Sequence, residues 1–443
     1  MSGENMRAMD RARAGRSPVV GPSKPRLLAV LGPGLISGAA NDDPTAIATY
    51  AQAGARFGYG LCWVVLLVYP LMVVVQVISA RVGRTTGRGL AGNIRRYQPA
   101  WLLHVCVGLL LPANIVAIAA DLSVMADALR LLIGGPRLPY VLLIGTVCVV
   151  TQVFMQYTRY VAVLKWTTLS LLAYVASVLL VNVPWGEVAR SIVLPPLAFD
   201  GDYLASIVAI FGVALSPYLY FWQASQEAED QRVKPLREPL VEAPEQAPRA
   251  IERIRLDTYA GMAVASLVGL AIMITTAATL HAEGRTGIAT SLEAAEALRP
   301  VAGPLAFAVF AAGIIGTGLL AIPVLAGSVA YAIGEARRWP VGLARQPLEA
   351  KAFYGTVAVA TLIGAALNFT GLDPIRALYW SAVLNGVVAV PVLAMMLKLA
   401  AHPEVMGELA IPKGLRLGGW VAVAVTALGV VAMIATSVPG LLS

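Results

Sequence analysis

Two adjacent carboxylates lie in the middle of an apolar segment long enough to cross a lipid bilayer. The segment covers residues 27–53 and contains Asn41, Asp42, Asp43 and Pro44. A carboxylate at the centre of a hydrophobic span costs ~2.5–3.5 kcal/mol on insertion scales, so its presence points to a function. Proline removes a backbone donor and disfavours a helical residue before it, which frees carbonyl oxygens nearby. Acidic side chains beside unwound backbone at this depth are typical of a cation site in a transporter.

A second apolar segment, residues 203–226, carries the same kind of interruption. Gly212, Ser216 and Pro217 lie in its middle, and Gln223 follows them. If the chain consists of two repeats of five spans, the first and sixth spans correspond, and each of them is interrupted. Interrupted spans at matching places in the two halves are the best sequence indication of a transport site.

The composition places these segments in a polytopic membrane protein. Of 443 residues, 58% are hydrophobic and only 13% are charged, whereas soluble domains carry about 25% charged residues. The net charge is +8, and most basic residues lie between the apolar spans, which suits an anionic membrane surface and not a nucleic acid. Cys62, Cys106 and Cys148 fall inside predicted spans, where cysteine is a small apolar residue and implies no disulfide.

Hydropathy predicts eleven membrane spans. With the N-terminus in the cytoplasm, the arginines of residues 81–96 and 337–345 fall in inner loops, as the positive-inside rule requires, and the C-terminus lies outside. The predicted spans cover residues 27–53, 59–82, 101–132, 138–157, 159–182, 203–226, 256–281, 304–334, 352–370, 374–400 and 416–441.

The chain is expected to divide into two five-helix repeats with additional ends. Residues 1–26 are polar and lack the apolar core of a signal peptide, so they predict a disordered cytoplasmic tail. Residues 27–182 form the first repeat and residues 183–400 the second, and a loop with the eleventh span follows over 401–443. Prolines among mixed charges predict a solvated cytoplasmic linker over residues 227–255.

Short motifs make the chain resemble the Nramp family of divalent-metal transporters over nearly its whole length. Gly32–Gly34 matches the family's GPG sequence, and Asp43 and Pro44 match the start of its DPGN motif. Pro217 matches the proline of the span-six MPH motif, and Asp121 matches the aspartate of a DLAE-like stretch in span three. The resemblance implies an all-α, LeuT-type inverted repeat of five plus five helices, with spans one and six broken and one helix added. It implies a transporter that is not an enzyme and holds no cofactor.

The chain departs from the family motifs at several positions. Thr45 and Ala46 replace the glycine and asparagine of DPGN, and Ser216 and Tyr218 replace the methionine and histidine of MPH. Losing the methionine removes a soft thioether, and oxygen ligands suit Mg²⁺, Mn²⁺ and Ca²⁺ better than softer metals. This pattern resembles the family's magnesium-transporter branch more than its manganese and iron branch. We therefore expect a hard divalent cation, Mg²⁺ or Mn²⁺, as the transported ion.

The histidines indicate weak or no proton coupling. Family members that cotransport protons use a span-six histidine with acidic residues of span three, but His104, His281 and His402 lie outside span six. Asp121 and Asp127 of span three remain candidate proton carriers. Inward movement of a dication gains roughly 4.6 kcal/mol per 100 mV, so coupling is not required energetically. A proton-coupled Mn²⁺ or Fe²⁺ symporter is the alternative.

The candidate site residues come from the two interruptions and from polar groups in neighbouring spans. Successive helical residues point about 100° apart, so the neighbours of Asp43 serve either the ion or an adjacent helix. Hydroxyl groups at a helix break have a structural alternative, which is bonding to nearby carbonyls. The predicted metal ligands are Asp43, Ser216, Asp42, Asn41, Thr45 and the carbonyl group of Val213, and the predicted pathway or coupling residues are Asp121, Gln223, Asn385 and Asp127.

Other polar and aromatic residues near span six are expected to have structural roles. Tyr218 and Trp222 are typical of packing or of the membrane interface. Glu227 and Glu229 either draw cations toward the inner mouth or, as we expect, belong to a solvated charged face.

Other classes of protein fit the sequence less well. A sodium-coupled symporter of organic solutes uses the same fold, but two adjacent acids would repel a substrate carboxylate. An intramembrane aspartyl protease needs two facing aspartates that share a proton, which an adjacent pair followed by proline does not supply. A channel with similar oxygen ligands is also compatible with the sequence. The protein is expected to act as a monomer in the lipid bilayer of a prokaryotic cell (inner) membrane.

Overall fold

The structure is a computed structural model that describes residues 33–154, 172–198, 200–233, 237–288, 306–371 and 373–442. All regular elements of this part of the chain are helical. The predicted tail over residues 1–26 and the first part of the predicted fifth span lie outside the described residues.

Sixteen α-helices are described, and short 3₁₀ turns or one π-helical turn join or extend several of them. The turns are Gly58–Leu61, Pro244–Gln246, Asn368–Thr370 and Gly407–Leu409, and the π-helical turn is Ala277–His281. In chain order the helices are α1 (Pro33–Asn41), α2 (Pro44–Phe57), α3 (Cys62–Thr86), α4 (Leu90–Tyr97), α5 (Ala100–Ile133), α6 (Arg137–Phe154), α7 (Leu172–Leu180), α8 (Trp185–Val193), α9 (Gly201–Ala214), α10 (Pro217–Val233), α11 (Ala247–Thr276), α12 (Ala306–Arg337), α13 (Lys351–Leu367), α14 (Pro374–Ala401), α15 (Pro403–Met406) and α16 (Lys413–Leu442).

The first predicted span is two helices with a break at the acidic pair. Helix α1 ends at Asn41, and α2 begins at Pro44. Proline fits the first position of a helix because the amide hydrogen that it lacks would have no helical partner there. Asp43 precedes it in an extended conformation and caps α2, since its Oδ1 accepts a hydrogen bond from the Ala46 amide at 2.7 Å. The predicted break in span one is confirmed.

The sixth predicted span is broken in the corresponding way. Helix α9 ends at Ala214, and α10 begins at Pro217. The Ser216 hydroxyl lies 2.8 Å from the Gly212 carbonyl oxygen and 2.9 Å from that of Val213, so it donates to the last turn of α9. Proline and a hydroxyl that bonds to a preceding carbonyl together end one helix and begin the next.

Nine candidate membrane spans, judged by length and composition, occur within the described ranges. The stretch Pro44–Thr86 counts as one of them because only a 3₁₀ turn separates α2 from α3, and it holds the part of predicted span one that follows the break and all of span two. Helix α7 is the described part of predicted span five. The other predicted spans each match one candidate, so the predicted all-helical membrane architecture is confirmed.

The predicted linker over residues 227–255 is wrong in extent. Helix α10 continues to Val233, and α11 already begins at Ala247. The described part between them is not a free solvated loop, because Leu240 is buried and its amide donates to the Arg84 carbonyl. The charged side chains of this region are predicted to be solvated, but several of them form ion pairs, among them Arg237 with Asp230 and Arg253 with Glu227.

Close contacts between backbones join the broken helices to their neighbours. A Cβ atom added to Gly38 of α1 would lie 2.3 Å from the carbonyl oxygen of Gly261 on α11. A Cβ atom on Gly212 of α9 would lie 1.8 Å from the carbonyl oxygen of Ala382 on α14. Small residues allow membrane helices to approach in this way and to gain dispersion energy without an apolar core.

Large apolar side chains cover the outside of the described helices. The helices α6, α13 and α16 expose leucine, isoleucine and valine side chains along their outer faces. A soluble protein rarely exposes so much contiguous apolar surface, whereas a lipid bilayer solvates it. Examples of exposed residues are Leu142, Leu143, Leu362, Ile363, Leu428 and Val431.

The contact between α1 and α11 makes a testable prediction for stability. Gly38→Ala should lower the Tm of the purified protein in detergent, because the added methyl group overlaps the Gly261 backbone and costs ~1–3 kcal/mol. Gly355→Ala on α13 is the matched control, since nothing lies within 4 Å of its added Cβ and alanine favours a helix by ~1 kcal/mol over glycine. Equal Tm values for the two variants would contradict the close contact.

Candidate functional site

The Asp43 carboxylate lies where the two broken helices meet. Its Oδ1 accepts the Ala46 amide, and its Oδ2 accepts a hydrogen bond from the Tyr218 hydroxyl of α10 at 3.1 Å. The same hydroxyl lies 3.1 Å from the carbonyl oxygen of Ala40 in α1. Tyr218 therefore joins the first turn of α10 to both sides of the break between α1 and α2, and it fixes the orientation of the carboxylate.

Asn41 and Asp42 precede this carboxylate and are buried with it. Asn41 is 1% exposed, and its Oδ1 accepts no hydrogen bond from the described part of the chain. A buried oxygen without a partner costs free energy, so the atom fits a ligand or an ordered water. Asp42 is 4% exposed beside Asp43. Two neighbouring carboxylates repel each other in a buried site, and a divalent cation would offset that repulsion.

Thr45 connects Asp121 of α5 to the same break. The Thr45 hydroxyl donates to Asp121 Oδ1 at 2.9 Å, and the Thr49 hydroxyl donates to the Thr45 carbonyl at 2.8 Å. Asp121 is fully buried, and its Oδ2 has no hydrogen-bond partner among the described residues. Thr45 is two residues after Asp43, so its hydroxyl group brings the Asp121 carboxylate to the site as a third carboxylate, after those of Asp42 and Asp43.

Ser216 and Val213 lie together at the second break. The Ser216 hydroxyl donates either to the Val213 carbonyl or to that of Gly212, as described for the end of α9. The residue is 2% exposed. The arrangement fulfils the structural role expected of a hydroxyl at a helix break, and it leaves one hydroxyl and one carbonyl oxygen side by side.

Gln223 and Asn385 supply two further buried amide oxygens. Gln223 of α10 donates through Nε2 to the Thr258 hydroxyl of α11 at 3.2 Å. Asn385 of α14 precedes Gly386, where an added Cβ would lie 2.8 Å from the Val208 carbonyl oxygen of α9. Neither Gln223 Oε1 nor Asn385 Oδ1 accepts a hydrogen bond within the described ranges.

Asp127 is not brought to this group. It lies on α5 six residues beyond Asp121, and its Oδ1 is 4.0 Å from the guanidinium group of Arg130. Its side chain is 21% exposed, in contrast to the fully buried Asp121. Of the two span-three acids, only Asp121 contacts a residue of the helix breaks.

The site is built from oxygen donors. Across the described residues, no three His, Cys, Asp or Glu side chains come together in a group that would hold a metal by themselves. An ion at Asp43 would therefore complete its coordination with amide, hydroxyl and backbone oxygens or with water. Mg²⁺ and Mn²⁺ accept such a shell, and Mg²⁺ in particular keeps several of its waters.

Two contacts of residues on α10 differ from what the sequence predicts. Tyr218 was expected to pack, but its hydroxyl binds the central carboxylate. The sequence does mark this residue, because Tyr218 follows Pro217 at the position where the family has histidine.

Glu227 was expected on a solvated face, but the structure buries it completely against Arg253. That expectation is wrong, and no local signal distinguishes a buried acid from an exposed one here.

Comparisons with known proteins agree with this architecture. A sequence model of the family described as natural resistance-associated macrophage protein-like (Nramp) matches residues 34–436. The chain belongs to the Nramp family. Two proteins of different Klebsiella pneumoniae strains, each named divalent metal cation transporter MntH, are 28% identical to it over 413 residues, which is 90% of this chain and 92% of each relative.

Solved structures confirm the predicted fold of this Nramp chain. A manganese transporter of Eremococcus coleocola, crystallised with an aromatic bis-isothiourea compound, superposes with a TM-score of 0.73 at 18% identity and covers 95% of this chain and 89% of its own. Mhp1, a nucleobase-cation-symport-1 family transporter, gives a TM-score of 0.52 at 15% identity over 96% of both chains. At such identities the likeness shows the fold alone. With the apolar helices, the family membership makes the chain an integral membrane protein and not an enzyme.

The hydrogen bond from Tyr218 to Asp43 makes a second prediction. Tyr218→Phe should weaken Mn²⁺ binding to the purified protein by about tenfold, since losing a partner that orients a ligand typically costs 10–100-fold in metal affinity. Calorimetry or the electron paramagnetic resonance signal of free Mn²⁺ measures this affinity.

Tyr220→Phe is the matched control for this measurement. Tyr220 is a buried tyrosine of the same helix, and its hydroxyl donates to the Leu215 carbonyl at 2.6 Å. Each substitution removes one buried hydrogen bond and costs about 1 kcal/mol of stability. Only Tyr218 contacts the carboxylate, so equal Mn²⁺ affinities in the two variants would contradict its role at the site.

Proposed function

We propose that this protein imports a hard divalent cation, Mg²⁺ or Mn²⁺, by alternating access, with weak or no proton coupling. The observation that carries the proposal is the position of Asp43, which caps α2 and accepts the Tyr218 hydroxyl of α10, so that both broken helices meet at one carboxylate. Substrate and coupling-ion sites of inverted-repeat transporters lie where such discontinuous helices meet. The names of the Klebsiella pneumoniae relatives support a divalent metal as the class of substrate.

The ligand types support a hard ion. The groups that surround the two breaks are the carboxylates of Asp43 and Asp121, the amide of Asn41 and the hydroxyls of Thr45 and Ser216. Sulfur is missing from this set because serine replaces the family's methionine at position 216. Oxygen ligands with retained water favour Mg²⁺ or Mn²⁺ over Cd²⁺ and other soft metals.

The direction of transport follows from the proposed orientation. The arginines at the end of α3 and in α4 lie at one end of the bundle, which the positive-inside rule assigns to the cytoplasm. An inside-negative potential favours entry of a dication by roughly 4.6 kcal/mol per 100 mV. Import therefore needs no second ion to drive it.

The hydrogen bonds near Asp43 support weak coupling. Tyr218 occupies the histidine position, and a phenol keeps its proton near neutral pH, whereas an imidazole exchanges it. Asp121 supports the alternative, a proton-coupled Mn²⁺ symporter. It is fully buried beside Thr45 with one unpartnered oxygen, as a proton carrier would be. Transport measurements separate the two proposals.

Ion uptake into proteoliposomes is the direct test of the proposed function. With an inside-negative potential and a pH-sensitive dye in the lumen, we expect Mg²⁺ or Mn²⁺ to enter without acidification. The Asp43→Ala protein should take up neither ion, because the central ligand is absent, and a Tm near that of the wild type would show that it is folded. Acidification that depends on Asp121 would favour the proton-coupled alternative, and normal uptake by Asp43→Ala would contradict the site.

The missing methionine makes a separate prediction about selectivity. Ser216→Cys introduces sulfur with little change in volume, so Cd²⁺ should inhibit Mn²⁺ uptake at about tenfold lower concentration, or ~1.4 kcal/mol, than in the wild type. Ser216→Ala is the control, since it removes the hydroxyl and adds no sulfur. If the wild type already binds Cd²⁺ more tightly than Mn²⁺, the argument from hard ligands is wrong.

A further inference from the structure

Beyond the central site, α10 presents two polar side chains to α11. Gln223 donates to the Thr258 hydroxyl, and Glu227 accepts a hydrogen bond from Arg253. The two residues are four positions apart, so they lie on one face of α10 with a rise of ~6 Å between them. In the proposed orientation, this row leads from the helix break toward the cytoplasmic end of α10.

Each of these side chains keeps one oxygen without a partner. Gln223 Oε1 and Glu227 Oε1 accept no hydrogen bond from any described residue, and the two residues are 1% and 0% exposed. A buried carboxylate oxygen without a hydrogen-bond partner costs free energy. Such an oxygen is accounted for if it binds a cation in another state of the protein. An amide oxygen and a carboxylate are suitable ligands for a partly hydrated divalent ion.

Arg253 now occupies the position from which such a cation would contact Glu227. Its guanidinium group pairs with Glu227 Oε2, and its side chain is 27% exposed. Asp257 lies four residues further along α11, so it is on the same face as Arg253 and within reach of it. Arg253 thus has two carboxylates available, one on α10 and one on its own helix.

Asp257 is engaged elsewhere in this state, because it caps α1. Its two carboxylate oxygens accept the amides of Gly34 at 2.7 Å and Leu35 at 3.2 Å. The first turn of α1 lies directly on α11, since a Cβ atom on Gly34 would be 2.8 Å from the Thr258 amide nitrogen. Helix α1 therefore covers the row of Gln223 and Thr258, and the carboxylate that holds α1 is the second potential partner of Arg253.

We propose a second divalent-cation position on the inner side of the central site, formed by Gln223 Oε1 and the Glu227 carboxylate and opened when Arg253 exchanges Glu227 for Asp257. Release of α1 from α11 frees Asp257, Arg253 moves to it, and Glu227 accepts the departing ion. Before the step Glu227 is paired with Arg253 and Asp257 with the amides of α1, and after it Glu227 binds the ion and Asp257 is paired with Arg253. The inference rests on the proposed import of a divalent cation and assigns the route by which the ion leaves.

The test compares Mn²⁺ uptake by proteoliposomes with Mn²⁺ binding to the same purified variants. Glu227→Gln should lower the initial rate of uptake on the order of tenfold, since it removes a ligand of the exit route. Mn²⁺ affinity at Asp43 should stay at the wild-type value, because Glu227 lies about three turns of helix away from the break. The deciding protein is the double variant Glu227→Gln with Arg253→Gln, which removes both members of the buried ion pair and therefore tolerates the substitution better than either single change.

The double variant separates a ligand from a structural ion pair. Slow uptake with normal Mn²⁺ binding in the double variant supports the second position, whereas recovery of the wild-type rate overturns it and leaves a structural pair. Glu229→Gln is the matched control on α10, because Glu229 faces the amides of Leu343 and Ala344 and should leave uptake unchanged in folded protein. A wild-type protein that neither binds nor transports Mn²⁺ or Mg²⁺ would contradict the proposed function and this inference together.

Discussion

The structure depends on a constraint that lipid imposes on broken helices. In a bilayer every backbone polar group needs a hydrogen-bond partner inside the protein. Two helices can therefore be interrupted only where the backbone groups freed at each break find such partners or line a polar site. The Asp43 carboxylate accepts a hydrogen bond from one amide of α2 and another from the Tyr218 hydroxyl, which also lies 3.1 Å from the Ala40 carbonyl oxygen in the last turn of α1. The two breaks therefore support each other, and the site between them is a consequence of that support.

The sequence was sufficient for the features that have local causes. Apolar length located the helices, and prolines at positions 44 and 217 located both breaks to within two residues. The carboxylate at position 43 was recognisable because its cost in a hydrophobic span has to be offset. Motif resemblance added the fold, which spacing alone does not provide, and the family match over residues 34–436 confirms it.

The features that sequence did not provide depend on partners distant in the chain. Tyr218 is 175 residues from Asp43, and its place at the family's histidine position does not by itself show that its hydroxyl group reaches that carboxylate. The linker was predicted too long because charges and prolines are typical of solvated loops. Here Arg237 pairs with Asp230 and Arg84 donates to the Glu238 carbonyl, so tertiary contacts order a segment whose composition indicates the opposite.

The buried charges at the end of α10 are explained best as a requirement of transport. Stability alone is weak grounds for a buried ion pair, because desolvation can cancel the attraction between Arg253 and Glu227. The exit route of a dication explains the pair better, because the Glu227 carboxylate that binds the ion requires another cationic partner whenever the ion is absent. An arginine with a second carboxylate one turn away meets that need in both states. Asp257 also holds α1 through the Gly34 and Leu35 amides. When α1 binds Asp257 and closes the exit route, Arg253 therefore returns to Glu227 and neutralises it in the same step.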